Sequence, residues 1–158
     1  MKFLKKVVCD TFPSLCSKRI NEGATTTVGK HSNIDDNQLG IQGYDPVSYF
    51  QNDPQKGSED YAASFNGVHY LFINQENQKE FESNPEKYEP AAGGWCAWAM
   101  VEGHKVSVNP ETYLIIDDKV HLFFKNALVD TKDKWEKTGD EEKLTAQAKE
   151  KWDTILEE

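Results

Sequence analysis

Alternating apolar and polar positions predict two β-hairpins along this chain. Residues 61–65 and 68–73 alternate as half-buried strands do, and they flank Asn66-Gly67, a dipeptide suited to a two-residue type I′ turn. A second pair, residues 113–116 and 120–124, repeats the pattern around a short acidic loop. Two hairpins of this length predict a small antiparallel sheet.

Helical patterns follow each hairpin. Asn74 can cap a helix over residues 75–83, and a second helix is predicted over residues 127–137. After Gly139, Asp140 can cap a third helix, whose stripe of apolar residues predicts packing on the domain, with a partner-binding helix as the alternative. The stripe contains residues three or four positions apart: Leu144, Ala148, Trp152 and Ile155.

The order of these elements predicts the fold class. Residues 95–100 form an apolar run whose length fits either a short buried helix or a strand. Together the elements predict an α+β fold, with short helices and C-terminal helices packed on a small antiparallel sheet. We predict a flexible basic tail, linker or targeting segment over residues 1–37, a domain over residues 38–126 and a helical extension over residues 127–158.

Charge is distributed unevenly along the chain. The net charge is −9, although residues 1–30 by themselves carry +4. The acidic remainder should repel phosphate backbones, so we expect no nucleic-acid partner. No run approaches the ~20 apolar residues of a membrane span, so we also expect no transmembrane segment.

The N-terminal residues leave the compartment open. Lysines and apolar residues near the start fall on opposite sides of a helix, which suits an organelle transit peptide or a membrane-surface helix, with a disordered tail as the alternative. Cys9 and Cys16 could pair in an oxidising compartment. Three cysteines nevertheless do not make a disulfide framework.

The motifs that would identify an enzyme are missing from the sequence. The chain has no GxGxxG or GxxxxGK[ST] loop, no HExxH, no CxxC and no GxSxG elbow. We therefore expect a protein that binds a ligand without catalysing a reaction. The alternative is a thiol enzyme in which Cys96 is the nucleophile and His69, His104 or His121 is its base.

Cys96, Met100 and His104 form the sharpest candidate site. Cys96 and Met100 are four residues apart, so on a helix they share a face, and His104 follows the break at Gly103. Thiolate, thioether and imidazole together favour soft ions, so the predicted ligand is a copper or zinc ion. The alternative is that Cys96 and Met100 are core residues and His104 lies on a surface loop.

Four further residues are candidates for ligand binding: Tyr44, Asp45, His69 and Trp95. His69 lies in a predicted strand, where it is either a ligand or an ordinary strand residue, and His121 has the same position in the second hairpin. Tyr44 and Trp95 belong to an aromatic set that builds a core or lines a pocket for a flat organic molecule. Asp45 precedes a proline and is suited to capping a turn.

Several motifs, in order, resemble those of YHS-domain proteins. They are the IQGYDPVSYF run at residues 41–50, the FNGVHYLF run at residues 65–72 and the NPEKY run at residues 84–88. The GGWCAWA run at residues 93–99 and the IIDDKVHL run at residues 115–122 resemble the extended, stand-alone branch of that family.

The resemblance covers about residues 39–125 and implies a small α+β metal-associated module. Family members linked to heavy metals carry cysteine at the positions of Ser48, Ile73 and Asn77 in this chain. Because a thiolate site needs sulfur, that site does not carry over. Stand-alone members are often exported, which implies an exported or periplasmic protein, although the chain shows no clear signal peptide.

The leading hypothesis is therefore a non-catalytic YHS-like binding module that holds a metal ion through Cys96 and its neighbours. The absence of the three family cysteines favours a second hypothesis, a metal-free module for a protein partner or a small ligand. The thiol enzyme is the third.

Overall fold

Two separate hairpins supply most of the strands. In the computed structural model, which describes residues 18–19 and 27–158, β2 (Ser58–Phe65) pairs antiparallel with β3 (Val68–Phe72). A two-residue strand, β1 (Lys18–Arg19), lies parallel to the other edge of β2. The first predicted hairpin is therefore confirmed, with a short third strand added.

The second hairpin joins β4 (Asn109–Ile116) to β5 (Lys119–Phe123). Its turn is the pair Asp117-Asp118, with φ values of 51° and 63°, and Asn66-Gly67 of the first hairpin has 51° and 79°. A type I′ turn requires positive φ at both central residues, and aspartate tolerates this region better than most residues. Lys119 accordingly belongs to the strand and not to the loop.

Six α-helices lie within the described residues and complete the α+β fold that the sequence predicts. The two predicted caps are present: the Asn74 side chain accepts the N–H of Asn77 at 2.8 Å, and that of Asp140 accepts the N–H of Lys143 at 3.3 Å. The helices are α1 (Thr27–His31), α2 (Gln75–Ser83), α3 (Pro85–Tyr88), α4 (Ala97–Met100), α5 (Thr131–Thr138) and α6 (Glu141–Leu156).

The start of α5 differs from the prediction of a helix from residue 127. The side chain of Asn126 accepts the backbone N–H groups of Leu128 and Val129, which closes a turn before the helix. Asp130 then caps the helix by accepting the N–H of Asp133 at 3.2 Å. Residues 127–130, which the sequence pattern assigns to the helix, therefore form a turn and a cap instead.

Residues 27–31 also differ from the prediction, because the sequence places them in a linker and the structure makes them α1. His31 and Ser32 are buried there. The indole N–H of Trp95 donates to the carbonyl of His31 at 2.7 Å, and the N–H of Asn33 donates to the carbonyl of Gly93 at 2.8 Å. This short helix is therefore tied to the segment before α4. The amphipathic pattern predicted near the N-terminus, with Cys9 and Cys16, lies outside the described residues.

The core consists of three clusters. The largest joins the first hairpin and α2 to β5 around Phe72, Phe81 and Leu122, and a second surrounds Trp135. The third lies under α6 and includes Ala148 and Trp152. Because Leu144, Ala148 and Trp152 are buried and Ile155 is partly buried, the predicted stripe of the last helix is confirmed. Within the described ranges, no helix is both long and apolar enough to span a membrane.

Candidate functional site

Asp45 is the centre of a buried polar network beside the first hairpin. Its side chain is fully buried. One carboxylate oxygen accepts the backbone N–H groups of Val47 at 2.8 Å and Ser48 at 3.3 Å. The other accepts the N–H of Ile73 at 2.9 Å and the side-chain amide of Asn77 at 2.8 Å. A carboxylate has about four lone-pair sites, so these four donors saturate it.

Three partners of Asp45 stand where the family resemblance implies metal-binding cysteines. Ser48 donates its hydroxyl to the carbonyl of Asp45 at 2.6 Å and accepts the N–H of Gln55 at 3.1 Å. Asn77 accepts the side-chain amide of Gln51 at 3.1 Å. Both polar side chains are thus occupied on their donor and acceptor sides, and Ile73 contributes a backbone group. The arrangement holds the chain together around Asp45 without a cation.

Cys96 is fully buried and its sulfur is hydrogen-bonded twice. It accepts the backbone N–H of Phe124 at 3.3 Å and lies 3.3 Å from the hydroxyl of Thr131. Because Thr131 donates its single hydroxyl hydrogen to the carbonyl of Phe124 at 2.8 Å, the thiol hydrogen is donated to Thr131. Cys96 would have to lose the thiol proton that it donates to Thr131 before it could hold a metal or attack a substrate.

The structure does not gather Cys96, Met100 and His104 at one point. Cys96 is the N-cap residue of α4 (φ −58°, ψ 119°), and its carbonyl accepts the N–H of Met100 at 3.0 Å, but the two side chains belong to different parts of the core. Met100 is fully buried in the cluster under α6, whereas Cys96 belongs to the largest cluster. His104 is exposed. The metal site at these residues stays a prediction.

Tyr44, His69 and Trp95 are also dispersed. His69 is partly buried on the face of β3 opposite to its neighbours and is hydrogen-bonded to Ser64 on β2. Burial, followed by the nearby Glu111, raises the pKa of Tyr44. The indole N–H of Trp95 is used by α1. Among residues 27–158, no group of three or more His, Cys, Asp or Glu side chains is arranged to hold a metal ion.

A cavity of about 420 Å³ lies elsewhere, between α6, the second hairpin and the segment that follows α3. We call it the α6 cavity. Its wall is mainly apolar and is built from small and aliphatic side chains and one indole: Val28, Ala91, Ala92, Ala97, Ile116, Ala148, Trp152 and Leu156. Its polar lining comes chiefly from the hairpin and α6: Glu89, Asp117, Lys119, His121, Thr145, Lys149 and Asp153.

One wall of the α6 cavity depends on an unusual backbone turn. Ala92, Gly93 and Gly94 have φ values of 53°, 60° and 81°, so three consecutive residues are left-handed. A Cβ atom at Gly93 would lie 2.6 Å from Cζ2 of Trp152, which no real side chain tolerates. Glycine therefore lets the indole of Trp152 lie directly on the backbone, where it closes the cavity.

His121 is the most defined polar group of the α6 cavity. It is 6% exposed, and its Nδ1 lies 3.0 Å from the carbonyl of Lys119. Since a carbonyl can only accept, Nδ1 carries the hydrogen and Nε2 is left as an acceptor in the neutral ring. Burial lowers the pKa of His121 below its ordinary value of 6.5, with the Lys119 ammonium acting in the same direction. The neutral form is therefore favoured.

The charged residues of the cavity are mostly engaged with the protein. Glu89 accepts the side-chain amide of Asn66 at 3.0 Å, and burial raises the pKa of Glu89. Lys119 donates to the carbonyl of Glu86 at 2.7 Å, and burial lowers its pKa. Lys149 and Asp153 form an ion pair at 2.7 Å.

Comparisons of the chain with protein-family models, with curated proteins and with solved structures find no match. The likeness to YHS-domain proteins therefore stays a prediction that depends on the motifs quoted above. The function has to be argued from the geometry of the chain itself.

Sequence reasoning missed the α6 cavity because its walls come from distant parts of the chain. The sequence indicates His121 as a strand histidine or a base for Cys96, and Trp152 as part of a helical stripe, and neither pattern indicates a shared cavity. The one local indication was the pair Gly93-Gly94 ahead of an aromatic residue, since adjacent glycines often permit a close backbone approach.

Proposed function

We propose that the chain is a non-catalytic, YHS-like binding module that takes a small organic molecule in the α6 cavity and needs no metal to do so. The observation that carries the proposal is the cavity: about 420 Å³, largely apolar, with a few polar groups on one side. Binding sites for small molecules have this size and this composition.

The network around Asp45 supports the metal-free part of the proposal. At the three positions where the resemblance implies thiolates, the chain has Ser48, Ile73 and Asn77, and each gives a hydrogen bond to Asp45. A metal at this place would have to displace donors from a buried carboxylate that is already saturated. Leaving such donors unpaired costs about 1–3 kcal/mol each.

The cavity is tested by blocking it. Thr145 lies at its edge on α6, whereas Glu142 is exposed on the same helix and does not line it. We expect 2-naphthol to bind the full chain in isothermal titration calorimetry and Thr145→Trp to abolish that binding. The control variant Glu142→Trp adds the same indole outside the cavity and should bind as the unmodified chain does. Equal binding by both variants would place the ligand elsewhere and refute the proposal.

The metal question is tested by native mass spectrometry with Zn²⁺ and Cu⁺. A Cys9→Ser, Cys16→Ser background removes the two cysteines outside the described residues. In this background, we expect Cys96→Ala to leave the amount of bound metal unchanged. We expect the triple variant Ser48→Cys, Ile73→Cys, Asn77→Cys to bind zinc. One equivalent of metal that disappears with Cys96→Ala would instead support the site at Cys96, Met100 and His104.

The thiol-enzyme alternative is tested by alkylation. Because the sulfur of Cys96 is fully buried, we expect iodoacetamide to modify it only when the chain unfolds. The unfolded fraction of a stable protein is about 10⁻³ or less, so the folded chain should react roughly a thousand times more slowly than the chain in denaturant. Peptide mapping separates Cys96 from the other two cysteines. Rapid modification in the folded chain would favour the enzyme.

A further inference from the structure

We propose that the ligand of the α6 cavity is a neutral molecule with a flat apolar body and one O–H or N–H group that it donates to Nε2 of His121. This inference rests on the proposed function, because it names the chemical class that the cavity would take.

The acceptor is fixed by the fold. His121 lies on β5 between Val120 and Leu122, both of which are almost fully buried, so the ring is carried on a rigid strand. Its Nδ1–H is given to the carbonyl of Lys119, and the ring of Trp135 lies behind it at 6.4 Å between centroids. Nε2 forms no hydrogen bond within the part of the chain that the structure describes. Nε2 keeps contact with solvent, so a ligand that brings a donor would replace water there with a direct hydrogen bond.

The charges around the cavity exclude an anion. Glu89 and Asp117 both line it, and a further negative charge there would be repelled. The two lysines balance carboxylates that are already present, since Lys149 is paired with Asp153 and Lys119 interacts with Glu89, so the charge of Asp117 is left over. A cation would have to leave water for a mainly apolar space, which is costly unless it is fully paired. A neutral molecule avoids both costs.

The shape of the wall selects a flat body. Trp152 presents its indole across the cavity, held in place by the backbone of Gly93. Small side chains surround it, among them Ala92, Ala97 and Ala148, and they leave room beside the ring without filling it. A planar aromatic ligand can stack on the indole while its polar edge reaches the histidine.

A matched pair of probes isolates the hydrogen bond. 2-Naphthol carries the donor, and 2-methoxynaphthalene has the same rings without it. At neutral pH we expect the full chain to bind the naphthol about tenfold more tightly than the ether, which is the effect of one good hydrogen bond. In His121→Phe the naphthol should lose this advantage, so that the two probes bind equally. The anion 2-naphthoate should bind more weakly than the naphthol.

An independent measurement covers the case in which His121→Phe does not fold. The ¹⁵N chemical shift of Nε2 of His121, observed in the unmodified chain, should move towards the value of a hydrogen-bonded nitrogen with the naphthol and stay in place with the ether.

The outcomes separate the two proposals. If neither naphthol nor ether binds, the proposed function fails. If both bind with equal affinity and the Nε2 shift does not respond, the cavity binds small molecules but the inference about His121 is wrong. Tighter binding of naphthoate than of naphthol would overturn the assignment of a neutral ligand.

Discussion

The Asp45 network and the α6 cavity handle polar groups in opposite ways. Around Asp45, a fully buried carboxylate receives three backbone N–H donors and the side-chain amide of Asn77, which is itself hydrogen-bonded to Gln51. In the α6 cavity, the wall is mainly apolar, and Nε2 of His121 has no hydrogen-bond partner among the residues that the structure describes. In the first region the hydrogen-bonding capacity of the carboxylate is filled by the described chain. In the second region one acceptor nitrogen has no such partner.

This difference shows where a ligand is to be sought. A saturated network stabilises the fold and specifies one arrangement of the chain, but it leaves nothing for a ligand to bind. A preformed apolar space with an unpaired polar group has the opposite property. The first resembling motif, at residues 41–50, thus contributes to a structural centre, while the binding chemistry we propose lies on the second hairpin.

The largest expected effect comes from breaking the network. Asp45→Ala leaves three donors without an acceptor, because the N–H of Ser48 keeps its bond to the backbone carbonyl at position 45. We expect the free energy of unfolding to fall by about 3–5 kcal/mol, with water entering to limit the loss. Urea denaturation measures the change. Asp36→Ala is the control, since Asp36 is exposed and its removal should matter by less than about 0.5 kcal/mol. A loss below 1 kcal/mol for Asp45→Ala would mean that the network is not stabilising.

A smaller effect is expected from crowding the cavity wall. Gly93→Ala places a Cβ atom against the indole of Trp152 and also forces alanine into a left-handed conformation. Gly139→Ala is the matched control, because Gly139 has φ +75° but nothing within 4 Å of the added atom.

We expect the control to lose about 1–2 kcal/mol from backbone strain alone. Gly93→Ala should lose a further 1–3 kcal/mol or so, which is typical of overpacking. Thermal or urea unfolding of the two variants gives the difference. An equal decrease in the free energy of unfolding for both variants would show that Trp152 moves aside at no cost and that the cavity wall is deformable.

The smallest effect concerns the protonation of His121. Its pKa in the folded chain lies below 6.5, so when the pH falls below 6.5 the unfolded chain takes up a proton that the folded chain does not. Stability should therefore decrease below pH 6.5, level off below the folded pKa and be unaffected by this residue above 6.5. The loss is about 1.4 kcal/mol for each unit of pKa difference.

The pH profile has to be compared with that of His121→Gln, because other groups titrate nearby. Burial also lowers the pKa of His31, and the raised pKa of Glu89 acts in the opposite sense, since the folded chain keeps that proton at higher pH. Lys119 and Asp117, which face His121, are the same in both proteins. Parallel profiles for the two proteins would rule out the neutral, buried histidine that the inference requires.

The features that the sequence predicted well are those decided by neighbouring residues. Asn66-Gly67 specifies its turn by backbone preference, and Asn74 and Asp140 cap their helices through groups three residues away. Hairpins and caps of this kind depend little on the rest of the chain. For the same reason the α+β class could be predicted.

The features that were missed depend on distant contacts. Cys96 is only the N-cap of its helix, and its N–H donates to Val106 while its thiol donates to Thr131, so its side chain packs in a different cluster from that of Met100. The α6 cavity joins residues from α1, the hairpin and α6. No local pattern indicates that such segments meet around an empty space.

Because Trp152 of α6 contacts Gly93 at the cavity wall, the stability of α6 should report whether the α6 cavity is occupied. The same indole bounds the α6 cavity and fastens α6 to the rest of the chain, so a molecule that rests on it must oppose the detachment of that helix. Occupancy should then slow the exchange of amide hydrogens in α6 with deuterium, while those of β2 and β3 keep their rates. A ligand whose identity is unknown in advance can therefore be detected by the slower amide exchange of α6 that its binding causes.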